Sequence, residues 1–272
     1  MNSEKKEIKI IKTIYVWINQ KNDFEYKYKI IKSVDKNLSL PLTSIFRDQE
    51  LILKPRSIYN NPFDNENSLI IFCDLFKVNG ECINYDKRHE LLINLKNLEE
   101  IITECKPQIS FKPCFEIKPG SIIMVDQFIN LCLKAKIDIY EYETKNLDNN
   151  GIELKYQLSI SPLISAIDDY LMSKFILVYF CQLNKLDCNP IESLTFKFMD
   201  DKTNYNNGIN VINRYINKLV DNDSSISIGE KFDSDLIIPE SVKKSEQGFF
   251  YGKKQASNNP YNIVNDLISS IY

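Results

Sequence analysis

Glycine is scarce in this chain, at seven of 272 residues, and there is one histidine, His89. Few glycines mean few places where the backbone can reach left-handed conformations or pass close to a ligand's phosphates. A lone histidine leaves little for a zinc centre, and no two cysteines stand in a CxxC pair. The seven cysteines, an odd number, are scattered at Cys73, Cys82, Cys105, Cys114, Cys132, Cys181 and Cys188. They read as free thiols in a reducing compartment. No apolar run is long enough to span a membrane: the longest, residues 175–181 (FILVYFC), falls well short of the ~18 residues needed. The opening MNSEKKEIK carries charge but no apolar core, so it is not expected to be a signal peptide. A formal net charge of -3 shows no excess of basic residues, which argues against a nucleic-acid footprint or binding to an acidic membrane. These absences point to a soluble cytoplasmic protein.

Apolar periodicity is plentiful. Residues 12–19 (KTIYVWIN) and 24–30 (FEYKYKI) read as a strand pair around the polar turn at residues 20–23. Residues 51–53 and 68–76 read as further strands, the second apolar on both faces and therefore buried. From 87 to 104, Leu91, Leu92, Leu95, Leu98, Ile101 and Ile102 recur at the spacing of one amphipathic helix. A strand at 114–117, a helix at 122–135 and a strand at 137–142 follow. The turn LDNNG at 147–151 then leads into a strand at 152–158. Ser161 and Pro162 have the chemistry of an N-cap and a first helical position. The helix behind them carries Ile164, Ile167, Leu171, Phe175 and Val178 on one stripe. A strand at 194–198, a helix at 208–220 and a last helix after Asn259-Pro260 complete the order, an α+β arrangement.

The stretch from 50 to 88, ELILKPRSIYNNPFDNENSLIIFCDLFKVNGECINYDKR, resembles eukaryotic-type glutamine synthetase where its small N-terminal β-grasp domain meets its catalytic domain. Three further segments are similar to that family. They are CNPI with NGINVINRYINKL (188–219), the unit spanning 130–139 and 156–174, and LIIPESVKKSEQGFFYGKKQAS (236–257). The resemblance implies a β-grasp domain over residues 1–84. A reduced catalytic-type domain, an antiparallel sheet with flanking helices, then covers 85–272. It also implies the family's reaction, the ATP-dependent joining of glutamate and ammonia, with subunits assembled in rings.

The family's chemistry needs divalent metals held by converging carboxylates. Its paired glutamates in F-G-x-E-Q-E-Y fall on Lys118 and Gly120, with Glu116 two residues early. The next carboxylate, in N-A-E, falls on Glu143. The one after it falls on Lys155, with Glu153 within reach on the same strand face. The metal-binding histidine falls near Leu194, and the glutamate of Y-F-E-D-R-R becomes Tyr251. Its two arginines become Lys253 and Lys254, which keep charge but lose the bidentate fork. The arginine of I-R-I-P-R becomes Ile237.

The expectation is a glutamine synthetase-like pseudoenzyme with no catalytic residues and a structural or regulatory role. Glu143, Glu153 and Glu116 remain as vestigial metal candidates, and Lys253 and Lys254 as phosphate contacts. No cofactor is expected; Mg2+ and ATP would matter only if activity is retained. Partners would be further copies of the chain or an authentic glutamine synthetase. Two alternatives stay open: a weak or altered ligase, and a nucleotide or amino-acid binding module. Two residue pairs have plainer readings. Asp168-Asp169 reads as a solvated helix face, since neighbours in sequence do not face each other on a helix. Tyr15 and Trp17 read as packing residues of an apolar strand.

Overall fold

The computed structural model describes residues 9–33, 42–46, 50–64, 68–83, 85, 87–148, 150–191, 194–204, 210–212, 214–215, 218, 249–253 and 259–272. The chain divides into two compact units. One comprises residues 1–86 and 129–137; the other comprises 87–128 and 138–272.

The first unit is built on a six-stranded sheet. Strands β1 (Lys9–Ile18) and β2 (Phe24–Ser33) form an antiparallel hairpin. Asn19 organises its turn: its Oδ1 accepts from the backbone N–H of Lys21 (2.8 Å) and Asp23 (3.0 Å). Asn22 takes the left-handed conformation that the reversal needs, at φ 62. β5 (Ser68–Lys77) runs parallel to β1 and antiparallel to β4 (Glu50–Asn60). β3 (Thr43–Phe46) closes one edge, and the short β6 (Cys82–Ile83) pairs with β5. β4 runs well beyond the three residues its apolar pattern suggests. Lys54, Pro55 and Arg56 interrupt the alternation but stay in the strand across a register shift.

Tyr15, Trp17, Leu51, Leu53, Ile71, Cys73 and Leu75 form one core of this unit. On the opposite face of β1, Ile14, Val16 and Ile18 are buried as well. The chain therefore covers both faces of β1 by itself. Exposed apolar side chains occur on several strands, among them Tyr28 (59% accessible) and Ile30 (65%) of the edge strand β2.

In the second unit the single helix expected over 87–104 is two, α1 (Arg88–Asn97) and α2 (Glu99–Cys105), interrupted at Leu98. Two four-stranded antiparallel sheets follow, not one. β8 (Cys114–Lys118), β9 (Ile139–Asn146), β10 (Ile152–Leu158) and β12 (Asp187–Pro190) form the sheet ordered β12-β8-β10-β9. β7 (Gln108–Lys112), β11 (Ser161–Pro162), β13 (Leu194–Met199) and β14 (Phe249–Lys253) form the other. α3 (Ile122–Lys134) leads from β8 towards β9.

The longest helix, α4 (Leu163–Asn184), is buried almost all round, so its apolar residues do not form one stripe. Its N-cap is Pro162, not Ser161, because Ser161 and Pro162 are engaged as β11 in backbone pairing with β7. The final helix, α5 (Pro260–Ile271), starts as its sequence requires. Asn259 Oδ1 accepts from Tyr261 N at 2.9 Å, and Ile263, Val264, Leu267 and Ile271 are buried. Of the helix expected at 208–220, residues 210–212, 214–215 and 218 are described and helical. Among the described residues no helix is long and apolar enough to cross a membrane.

Asp168 overturns its reading as a solvated charge. It is 4% accessible, accepts a hydrogen bond from Tyr261 OH of α5 and has Arg88 Nε of α1 at 3.7 Å. One buried carboxylate on α4 thus ties three helices together. A second buried carboxylate, Asp200, receives Tyr215 OH (2.9 Å) and Tyr272 OH (2.6 Å), and its Oδ1 caps Thr203 N (2.8 Å). Nothing in the apolar pattern marks either node.

Candidate functional site

Glu116, Glu143 and Glu153, the three candidate carboxylates, lie on one face of the β12-β8-β10-β9 sheet. Period-two alternation sends Phe115, Ile117, Ile152, Leu154 and Tyr156 into the core. Cys114, Glu116 and Lys118 of β8 and Glu153 and Lys155 of β10 therefore share the other face. Backbone register sets the rows. Asn189, Glu116, Glu153 and Lys145 lie side by side across the four strands, and Cys114, Lys155 and Glu143 form the next row. Glu116 and Glu153 are thus direct cross-strand partners, where Cβ atoms approach to about 4.5–5.5 Å.

A pair of opposed carboxylates invites a cation, and here lysines supply it. Lys118 Nζ lies 2.7 Å from Glu116 Oε1, and Lys155 Nζ lies 3.0 Å from Glu153 Oε1. The hydrogen bond to Glu153 holds the Lys155 ammonium above the ordinary lysine range, and the Glu143 charge adds to that shift. Glu143 itself is largely exposed, with Lys112 Nζ at 3.9 Å; the same Nζ lies 3.3 Å from Glu141. The three vestigial candidates do lie on one sheet face, but each is matched to an ammonium group.

Gly120 is equally informative. A Cβ built there would meet Ile117 O and Ile152 Cγ2 at 2.6 Å. Its N–H donates to Asn150 O at 3.0 Å, which pins the segment against the turn between β9 and β10. This position, which matches the family's second glutamate of the strand, leaves no room for any side chain unless its neighbours move.

The residues at the remaining family positions lie on the other sheet or outside the described residues. Leu194 of β13 is the backbone partner of Lys253, and Tyr251 is the partner of Phe196, on the β11-β7-β13-β14 sheet. Lys254 and Ile237 lie outside the described residues. His89 sits exposed in the first turn of α1. A divalent metal fits this donor set poorly: among the described residues no three His, Cys, Asp or Glu side chains gather to hold one.

This arrangement of a mixed sheet and antiparallel sheets with flanking helices defines a glutamine synthetase-like α+β protein. The cryo-EM structure of Plasmodium falciparum glutamine synthetase is similar to it with a TM-score of 0.68, covering 99% of this chain and 73% of that one. At 11% identity the likeness is one of fold. Two plant enzymes share short stretches with the chain. Glutamine synthetase root isozyme 2 of Zea mays is 43% identical over 42 residues, 15% of this chain and 11% of its own length. Glutamine synthetase N-1 of Phaseolus vulgaris is 34% identical over 58 residues, 21% of this chain and 16% of its own length. No family model matches the chain. The chain thus shares its fold with the glutamine synthetases and short stretches of sequence with two of them.

Proposed function

We propose that this chain is a glutamine synthetase-fold pseudoenzyme: it does not join glutamate to ammonia, and it acts in the cytoplasm as a structural or regulatory component. The observation that carries this reading is the pair of lysines on the carboxylate face, Lys118 on Glu116 and Lys155 on Glu153. Phosphoryl transfer to a carboxylate depends on divalent cations that neutralise developing charge. An ammonium at each carboxylate does the opposite, since it competes for the ligand oxygens and repels the metal. The close packing around Gly120 supports the same reading. Assembly with further copies, or with an active glutamine synthetase, is supported by the exposed Tyr28 and Ile30 on the edge strand β2, a kind of surface that favours association.

The rival reading, a weak or altered ligase, rests on Glu116 and Glu153 standing opposite each other. A binding module acting through Lys253 and Lys254 is the third. Thermal unfolding with millimolar Mg2+, ATP and both together separates them. A ligand at 100 times its Kd adds about 2.7 kcal/mol of stability, so binding would be visible. The pseudoenzyme reading expects an unchanged Tm in every condition. A rise needing both components, and lost in Glu153→Gln, would favour the ligase. A rise with ATP alone, lost in Lys253→Ala, would favour the binding module.

A further inference from the structure

The cysteines are not equivalent. Cys73, Cys105 and Cys132 are buried, and burial pushes the Cys73 and Cys132 thiols well above the ordinary range. Cys181 and Cys188 differ from these because their side chains are hydrogen-bonded to each other. The fold creates that contact. α4 ends at Asn184, Lys185 turns left-handed at φ 56, and the N–H of Leu186 folds back onto Cys181 O at 2.9 Å. The reversal delivers β12 alongside the last turn of α4. Register with β8, Cys188 opposite Ile117, then fixes Cys188 at that place. Cys181 is buried and Cys188 half-buried, so a reagent from solvent meets Cys188 first.

We propose that Cys181 and Cys188 form a dithiol modification site that closes to an intrachain disulfide on exchange with a low-molecular-weight disulfide. The S–H of Cys188 stabilises a thiolate on Cys181, whose thiol is accordingly shifted down while that of Cys188 is shifted up. Cys188 is nevertheless the sulfur that solvent reaches, and when it gives its proton to water the charge of Lys174 favours the thiolate there, against the hydrogen bond to Cys181 and burial. With oxidised glutathione as the reagent, the Cys188 thiolate attacks one sulfur, the reagent's S–S bond breaks and one glutathione leaves with a proton. Cys181 then gives up its proton and attacks the Cys188 sulfur, expelling the second glutathione. Two protein thiols lose two electrons and two protons, and one glutathione disulfide becomes two glutathione thiols. The new bond ties the end of α4 to the strand beside Glu116.

The test uses the full chain, undenatured at neutral pH, incubated with oxidised glutathione, quenched by alkylation and digested with trypsin. The expected first product joins peptide 175–185 (FILVYFCQLNK) to peptide 186–197 (LDCNPIESLTFK), ahead of any change at the half-buried Cys82 and Cys114. In Cys181→Ser, glutathione should remain on Cys188 as a stable mixed disulfide. A wild-type protein that keeps glutathione on Cys188 with Cys181 reduced would overturn the proposal. So would earlier reaction at Cys82 or Cys114, or a pair that stays reduced whatever the fate of the other thiols.

Discussion

Glu116 on β8 and Glu153 on β10 stand directly opposite each other, and each is closed by a lysine two residues further along its own strand. Like charges facing across a ladder destabilise it, and opposite charges two residues apart share a face. Half-exposed ion pairs of this kind contribute only about 0–1 kcal/mol each. Their consequence is electrostatic: the face presents a mosaic of alternating charge in place of a concentrated negative field.

Replacing Gly120 tests whether this face could be rebuilt. A Cβ there would sit 2.6 Å from a backbone oxygen and from the Ile152 side chain. Gly120→Ala should cost about 1–3 kcal/mol in urea denaturation, as overpacking does. Gly120→Glu, which restores the side-chain type the family resemblance calls for, should be at least as destabilising. An unchanged midpoint in either variant would show that the segment has room.

The buried carboxylate of Asp168 makes a sharper stability prediction. With Asp168→Ala, Arg88 keeps its charge in a largely buried site, a loss of about 3–5 kcal/mol. Tyr261→Phe removes only the donated hydrogen bond, worth about 1–2 kcal/mol. The two changes should be strongly non-additive in a double-mutant cycle. Additive losses would show that the three groups do not act as one network.

How legible these features are in sequence depends on the kind of residue. The hairpin of β1 and β2, the buried β5 and the capped α5 are readable because apolar period and turn chemistry agree there. β7 and β12 are missed because short strands of mixed polarity carry no clear period. The pairing of Glu116 with Lys118 follows from strand alternation alone, whereas its position opposite Glu153 needs the register of two strands about 37 residues apart. Asp168 looks like a surface charge until α1 and α5 close over it. Asp200 gives a faint local signal, a threonine three residues on, but its tyrosine partners come from distant parts of the chain.

Alkaline pH should loosen the N-terminal unit. Burial, with the neighbouring Cys73 adding to it, pushes the Tyr15 phenol up from 10.0 to about 12. The folded state holds this proton more tightly than the unfolded chain, so the contribution is complete below about pH 10. It is lost as pH rises through about 12. Burial shifts Tyr170, Tyr215 and Tyr272 in the same direction. Urea midpoints should therefore fall above pH 10 in step with tyrosinate absorbance, and less steeply in Tyr15→Phe. A midpoint that is flat or rising across that window would contradict the assignment.

The most direct test of the central claim is glutamine formation from glutamate, ammonia and Mg-ATP by the purified chain. Loss of one electrostatic stabiliser typically costs about 10²–10³ in rate, and here lysines oppose the whole carboxylate set. The account predicts no glutamine above the protein-free rate. ATP-dependent glutamine formation that disappears in Glu153→Gln would contradict it.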